Sequence, residues 1–557
     1  MLLSLKKLLV FPIVFLALRF FLPYLGLESE VRSEADVRPQ TAQLPIEKPI
    51  AEPIKEAIED PIENPVASLR LKNVDVLVYG DELPGVCAAI WAKKQLGDAG
   101  KVVLARSNGD KAQFGGLVSR GGLAFLDLDK TYWDIQPSAQ CWLQFLQKAN
   151  VWESCVDAQN TDRAIREMLV EAGVEVISDA SLVPRVKDKN IRYVDIENRQ
   201  LRIFASTYID ATQDAQFAIN AGVPYWQGFE SQEASLAEST LSVSVVPVIS
   251  GLTIDDIKYL EQSLQSDPQL LAQIEEEIFA LHGVNGSKFI MANFDKPIYQ
   301  PYLDGYLVLS AVLGGAYHLD RNIPFTFSSM DSLFFDKANI CALEDGSLSW
   351  NGFLFKLNTT QVRAIEQNDF RPTDSMLNSM NELEFWLQEK LGNEAIDVYI
   401  PPEIYVRQSV NVSEVVDTLT GREIVKGGTA PENSIGSFSY EFDFRGGVNG
   451  LSISIPPMPI FNFGIEHGLA KNIENLAIVG RASGYEGIAV SVGRINTVNT
   501  YHGQGLGVAA ALAVQSEVPL NSIVSSQVRQ TLEKMTGLTT QFYGVETQPD
   551  IDKTNIR

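Results

Sequence analysis

From Val74 the chain reads V-D-V-L-V-Y-G-D-E-L-P-G-V-C-A-A-I-W-A to Ala92, then K-V-V-L-A-R over Lys101–Arg106, then F-G-G-L-V-S-R-G-G-L over Phe114–Leu123. An apolar run ends at Gly80, an Ala-rich helical pattern starts at Gly85, and a second apolar run covers Lys101 to Ala105. Strand, tight glycine turn, helix, strand is the unit that seats a pyrophosphate on a helix N-terminus, where free N–H groups and the helix dipole favour negative charge. Gly80 and Gly85 take the first and third glycine positions of G-x-G-x-x-G, but the middle position is Glu82. On this stretch alone, an ordinary βαβ unit without a nucleotide stays an open alternative.

The 557 residues exceed one ordinary core, so two or three folded units are expected. A formal net charge of -25 argues against nucleic-acid binding, which needs a basic surface. The four cysteines show neither C-x-x-C nor zinc spacing, and the four histidines are scattered, so no metal site is expected. Cys87, among alanines, reads as a small core residue. A Cys141–Cys155 disulfide stays open.

Lys6 and Lys7 precede an apolar stretch, Leu8 to Leu27, interrupted by Pro12, Arg19 and Pro23. It is long enough to span a bilayer, and no clear small-x-small cleavage site follows. An N-terminal membrane anchor over 1–27 is therefore expected, with a cleaved signal as the alternative. The lysines before it and Glu28 and Glu30 after it place the body on the extracytoplasmic side, membrane-tethered or exported. Residues 28–68 form a Pro/Glu-rich linker in which proline followed by an aliphatic recurs at Pro45, Pro49, Pro53, Pro61 and Pro65. Regular proline favours an extended, semi-rigid spacer.

In the body, Ser138–Asn150 and a stretch from Thr161 to a stop at Gly173 read as helices. Val174–Ile177, Ile191–Ile196 and Leu201–Ala205 read as strands. Glu238–Ser250 reads as one long β segment, and Asp255–Ala280 as helix interrupted at Pro268. Near the C-terminus, Asn475–Val479 is a buried-strand pattern ending in Gly480-Arg481. Gly503-Gln504-Gly505-Leu506-Gly507 then opens an Ala-rich helix, a second glycine-lined helix N-terminus far from the first.

With these motifs in order, the body resembles the FAD-dependent oxidoreductases that carry a GG-[ST]-x-x-G first loop and a C-terminal GR…GQ-x-x-G block, distantly akin to fumarate-reductase-type flavoproteins. Phe114–Leu123 is similar to the family's LGG-x-x-T-x-GGL, Ile209–Asp214 to its IDATGD, Tyr405-Val406-Arg407 to its YVRE, and Gly480–Gly507 to its terminal block. The resemblance implies an α/β fold: a Rossmann-like FAD-binding domain assembled from N- and C-terminal segments (69–225 and 438–537), an inserted α+β substrate or cap domain (226–437), and a tail (538–557). It implies FAD as cofactor and hydride transfer between a small organic substrate and flavin N5. Gly80 and Gly85 would admit the pyrophosphate, Gly115 and Gly116 would line the flavin, and Asp210, Ala211 and Thr212 would close over the phosphates. Gly503 and Gln504 would present a helix N-terminus to the flavin. Arg106, Ser119, Gly121, Gly480, Arg481 and Arg494 complete the expected cofactor-binding set.

Several positions depart from the family pattern. Arg106 stands where a glutamate binds the adenosine ribose, with Asp110 as a substitute. Gln213 replaces a glycine, Asp443-Phe444-Arg445 replaces D-x-H, and Gly487 replaces a histidine. Arg407, Asp443 and Arg445 are the expected catalytic residues, with Arg494 beside them and Tyr485 and Glu486 as further acid–base candidates. Arginine is a poor base but binds carboxylates bidentately, which points to a carboxylate-bearing substrate. The alternative is a catalytically degenerate flavoprotein-fold binding protein tethered to a membrane; an NAD(P) enzyme using only the first βαβ is a third reading.

Overall fold

Strand β1 (Arg70–Tyr79) is apolar on both faces from Val76 to Val78, as a strand paired on both sides and covered by helices must be. Gly80 ends it at φ 125, a conformation open to glycine and strained for other residues. Helix α1 (Leu83–Leu96) is buried from Leu83 to Ala92, and strand β2 (Val102–Ala105) then returns parallel to β1. The computed structural model describes residues 69–547 apart from 292–293, 328–331, 449–450 and 456–457. The anchor and linker expected over 1–68 lie outside the described residues. Among the described residues, no helix is long and apolar enough to cross a membrane.

Helices α2 (Gln140–Lys148) and α3 (Ala158–Ala172) follow. The Asp157 side chain accepts from the Gln159 and Asn160 N–H groups to start α3, and Gly173 at φ 70 stops it. Strand β3 (Glu175–Ile177) pairs parallel with β2. Strands β4 (Leu182–Lys187) and β5 (Asn190–Ile196) form an antiparallel hairpin, and β6 (Leu201–Asp210) runs parallel to β1 over its whole length.

A second sheet is antiparallel: β7 (Val243–Val245), β8 (Val248–Ser250), β9 (Gly305–Leu307), β10 (Leu333–Ala342), β11 (Leu348–Phe355) and β12 (Asp397–Tyr399). Its order is β9-β10-β11-β8-β12, with β7 also on β11. The single long β segment expected over Glu238–Ser250 is instead two short strands, because Pro247 offers no N–H to a ladder. Helices α4 (Ile254–Gln265), α5 (Pro268–Met291), α6 (Val312–Arg321) and α7 (Asp374–Leu391) pack on this sheet around Tyr317, Phe335, Trp350 and Trp386.

Glu261 is buried in that core at 1% exposure, with one carboxylate oxygen accepting from the Ile298 N–H at 3.0 Å and the other unpartnered among the described residues. Burial pushes its carboxyl up to about 7. The folded state therefore keeps a proton that the unfolded chain releases near pH 4.3, and stability falls as pH rises through that window. Glu261→Gln removes the titration while keeping the shape. Between pH 4.5 and 8 the wild type should lose about 3 kcal/mol more than the variant. Urea denaturation at each pH measures this, and parallel pH curves for the two proteins would refute it.

The C-terminal segment rejoins the first sheet. Strand β13 (Leu476–Ile478) runs parallel to the end of β6, giving the order β3-β2-β1-β6-β13, while the β4–β5 hairpin pairs with the start of β6. Helix α8 (Asn496–Ser516) packs along α1, and α9 (Ser525–Thr536) covers its outer side.

All four cysteines are paired. Cys87–Cys141 ties α1 to α2, and Cys155–Cys341 ties the segment before α3 to β10 of the second sheet. Cys87 is thus not a plain core residue, and Cys141 and Cys155 do not pair with each other. The reason is tertiary: packing of α2 on α1 brings the Cα atoms of Cys87 and Cys141 to 5.9 Å across 54 residues.

Candidate functional site

The carboxyl ends of β1, β6 and β13 meet at one crevice, where parallel sheets bind ligands. Gly80 and Gly85 are both pressed against the loop after β6. A Cβ on Gly80 would lie 2.2 Å from the Ala211 carbonyl oxygen, and one on Gly85 2.5 Å from the Ala211 Cβ. Asp210 accepts from the Thr212 N–H, the Thr212 hydroxyl and the Ala218 N–H at 2.9, 2.7 and 2.7 Å, and burial pushes its carboxyl up to about 7. It shapes its own loop. Ser119 donates to the Phe114 carbonyl and the Gly121 N–H to that of Gly116, so these two hold the second glycine loop. A Cβ on Gly115 would meet Thr161, and one on Gly116 would meet Glu82, at 2.6 and 2.5 Å. Only at Gly480, among these glycines, would a Cβ meet nothing within 4 Å.

Charged side chains occupy the centre of this crevice. Glu82 takes a two-pronged contact from Arg481 at 2.9 and 3.0 Å, and also accepts from the Leu117 N–H at 3.2 Å. Asp81 accepts from both arms of the Arg120 fork, at 2.8 and 2.9 Å, and from Arg106 at 2.8 Å. Arg120 also donates to Glu403 at 2.5 Å. Gln213 links the halves, accepting from Arg481 at 2.6 Å and donating to Glu403 at 3.4 Å. Arg106 stacks on Phe114 and also donates to Ser178 and to the carbonyls of Gly109, Ala112 and Gln113. Asp110 is exposed on the loop that Arg106 ties down.

A second charged group lies where the expected catalytic residues fall. Arg494 donates to the Tyr405 hydroxyl at 2.8 Å and to Asp443 at 2.9 Å. Arg445 donates to Asp443 at 3.2 Å and to Asp336 at 2.7 Å. These cations hold the Asp443 carboxyl below its usual range against the cost of burial. Arg407 differs from its neighbours. It is 3% exposed, donates to the Ser242 carbonyl at 2.9 Å and lies over the Tyr405 ring, but has no carboxylate partner among the described residues. Its Nε is buried and unpartnered among the described residues, as are the Ser242 and Ser244 hydroxyls, and burial pulls its pKa down to about 10.

Gly503 and Gln504 are not a helix N-terminus. Helix α8 begins at Asn496, two residues after Arg494, so both lie inside it. The glycines serve packing: a Cβ on Gly503 would lie 2.2 Å from the Pro84 carbonyl oxygen, and one on Gly507 2.1 Å from that of Ala88. Gln504 accepts from the Cys141 N–H and donates to the Pro137 carbonyl, anchoring the start of α2. Tyr485 donates to Asn499, and Glu486 accepts from Thr418. His467 and His502, far apart in sequence, stack with ring centres 3.9 Å apart. Burial lowers both and holds His502 near 4, so they are neutral core rings at pH 7.

A parallel sheet ordered in this way, with a glycine turn leading from its central strand into a helix, defines an α/β protein of the dinucleotide-binding class. Residues 75–532 match the family model for FAD dependent oxidoreductases; the chain belongs to that family, and FAD is the cofactor that membership brings. No curated protein matches the chain. Among solved structures it is similar to the myxobacterial chondrochloren halogenase CndH, at 11% identity over 83% of this chain and 79% of that one, TM-score 0.37. It is also similar to p-nitrophenol 4-monooxygenase PnpA from Pseudomonas putida DLL-E4 (10%, 85% and 88%, 0.36) and to L-proline dehydrogenase from P.horikoshii (9%, 84% and 99%, 0.35).

The crevice as folded does not suit the dinucleotide's diphosphate. Glu82 puts a carboxylate where a side-chain-free backbone would approach it, and Arg106 spends its donors on Asp81, Ser178 and backbone carbonyls instead of offering an acceptor to the ribose. The sequence marked both positions. It did not mark Arg120 and Glu403, which join the cluster through Asp81, since neither stands at a motif position with a known charge role.

Proposed function

We propose that the body is an oxidoreductase acting on a small organic acid, with Arg407 binding the carboxylate, in a hydride-transfer reaction of the kind the family resemblance implies. One observation supports the acid: Arg407 is a buried guanidinium without a counter-ion among the described residues. A buried charge is stable only when paired, and a guanidinium matches a carboxylate with two parallel hydrogen bonds. Arg494, Tyr405 and Asp443 would orient the rest of the molecule. The two disulfides and the N-terminal apolar segment support a body held in an oxidising, extracytoplasmic compartment.

A second reading, an acid-binding member without turnover, is favoured by the Glu82–Arg481 pair in the cofactor crevice. The full chain in mild detergent, titrated with small mono- and dicarboxylates, tests the acid site. An acid should raise the melting temperature, and Arg407→Gln should weaken its binding at least tenfold. Failure of every acid to bind, or an unchanged affinity in Arg407→Gln, would refute the acid site. With FAD supplied, bleaching of the flavin by a bound acid identifies the oxidoreductase; binding without bleaching identifies the second reading.

A further inference from the structure

Six charged side chains from five separate segments converge on the turn after β1: Asp81, Glu82, Arg106, Arg120, Glu403 and Arg481. Each is at most 8% exposed. Three carboxylates face three guanidinium groups, so the cluster is neutral, and Gln213 joins its two halves. The motif segments that the family resemblance assigns to the dinucleotide supply most of the members. Asp81 and Glu82 come from the first turn, Arg106 from the ribose position, Arg120 from the second glycine loop and Arg481 from the C-terminal block.

We infer that this cluster is an internal stand-in for the cofactor's diphosphate: Asp81, Glu82 and Glu403 take up the guanidinium groups in the crevice, and Glu82 is the residue that weakens the hold on FAD, so that the cofactor is taken up only when supplied in excess. The inference rests on family membership and deepens it. An arriving diphosphate would bring negative charge to a site already balanced and buried, where like charges repel strongly. It would also need the space of the Glu82 side chain, which lies against Gly116 so closely that even a methyl group there would collide with it. A glycine at position 82 removes both obstacles and frees Arg481. The diphosphate then has the helix N-terminus at Leu83 and the Arg481 Nη2 that Glu82 no longer holds, while Nη1 stays on Gln213 and the Val406 carbonyl.

The test is FAD affinity, read by flavin absorbance and quenching of fluorescence on the full chain in detergent, for the wild type, Glu82→Gly and Glu82→Gln. Glu82→Gly should bind FAD at least tenfold more tightly than the wild type, with Glu82→Gln between them. Should Glu82→Gly fail to fold because Arg481 is left unpaired, the double variant Glu82→Gly/Arg481→Met, again neutral, should still bind FAD more tightly than the wild type, by less than the single variant because no guanidinium at position 481 meets the diphosphate. A wild type that retains stoichiometric FAD through purification would overturn the inference, as would a folded Glu82→Gly protein that binds FAD no more tightly. Acid binding at Arg407 is scored separately. A gain in FAD affinity without acid binding therefore keeps this inference and removes the proposed substrate.

Discussion

Arg120→Ala should lower the stability of the protein by about 3–5 kcal/mol, the largest effect expected of any single charge removal in the crevice. Arg120 holds Asp81 with both arms of its fork and Glu403 through Nε. Among the described residues, its removal leaves Glu403 buried with no cation in contact and Asp81 with Arg106 alone. The loss comes from stranding these carboxylates and does not measure the net worth of the pairs, since buried ion pairs recover little beyond their desolvation cost. Arg120→Lys keeps the charge but not the fork, and should fall between alanine and wild type. Arg192, paired with Asp188 on the surface with both side chains more than half exposed, is the control. Arg192→Ala should cost less than about 1 kcal/mol. Denaturant unfolding of the three variants measures all of this, and a cost below about 1 kcal/mol for Arg120→Ala would mean that water reaches the cluster.

Loss of the Cys155–Cys341 bridge should cost about 5 kcal/mol in the chain-entropy account, and loss of Cys87–Cys141 about 4 kcal/mol, because the closed loops span 186 and 54 residues. The first bridge fastens β10 of the second sheet to the segment before α3, so Cys155→Ser/Cys341→Ser should also loosen the two sheets from each other. Thermal melts with and without reductant, and melts of the double variant, read the loss. A melting temperature indifferent to reductant would dismiss the stabilisation. The same bridges bear on location. Protein taken from an oxidising compartment and alkylated at once should show no free thiol, whereas protein recovered fully reduced from its native setting would remove the support for an extracytoplasmic body.

Local pattern made the first sheet legible. A strand covered on both faces is apolar throughout, a helix that packs closely is rich in small residues, and a φ of 125 asks for glycine; all three can be read in Val74–Ala92 without any partner. The return of the C-terminal segment to that sheet was legible from order alone, since Leu476–Ile478 is short, apolar and followed by Gly480. Helix α8 begins at Asn496, ahead of the glycines that look like its start. Gly503, Gly505 and Gly507 look like a loop in sequence, where glycine signals a turn, but two of them serve to bring α8 against the carbonyls of Pro84 and Ala88.

Residue type and spacing are enough to read the fold class, the family and the odd residues of the cofactor loop, Glu82 and Arg106. Each of these depends on residue type at a fixed offset within a segment. Tertiary structure alone decided who answers those residues. Glu82 meets Arg481 across 399 positions and Arg120 meets Glu403 across 283, and no local spacing encodes a pairing of that range. It also decided that the cysteines form two bridges and that Arg407 is left without a carboxylate among the described residues. Charge is satisfied by proximity in space, and only the packed chain shows which charges are near.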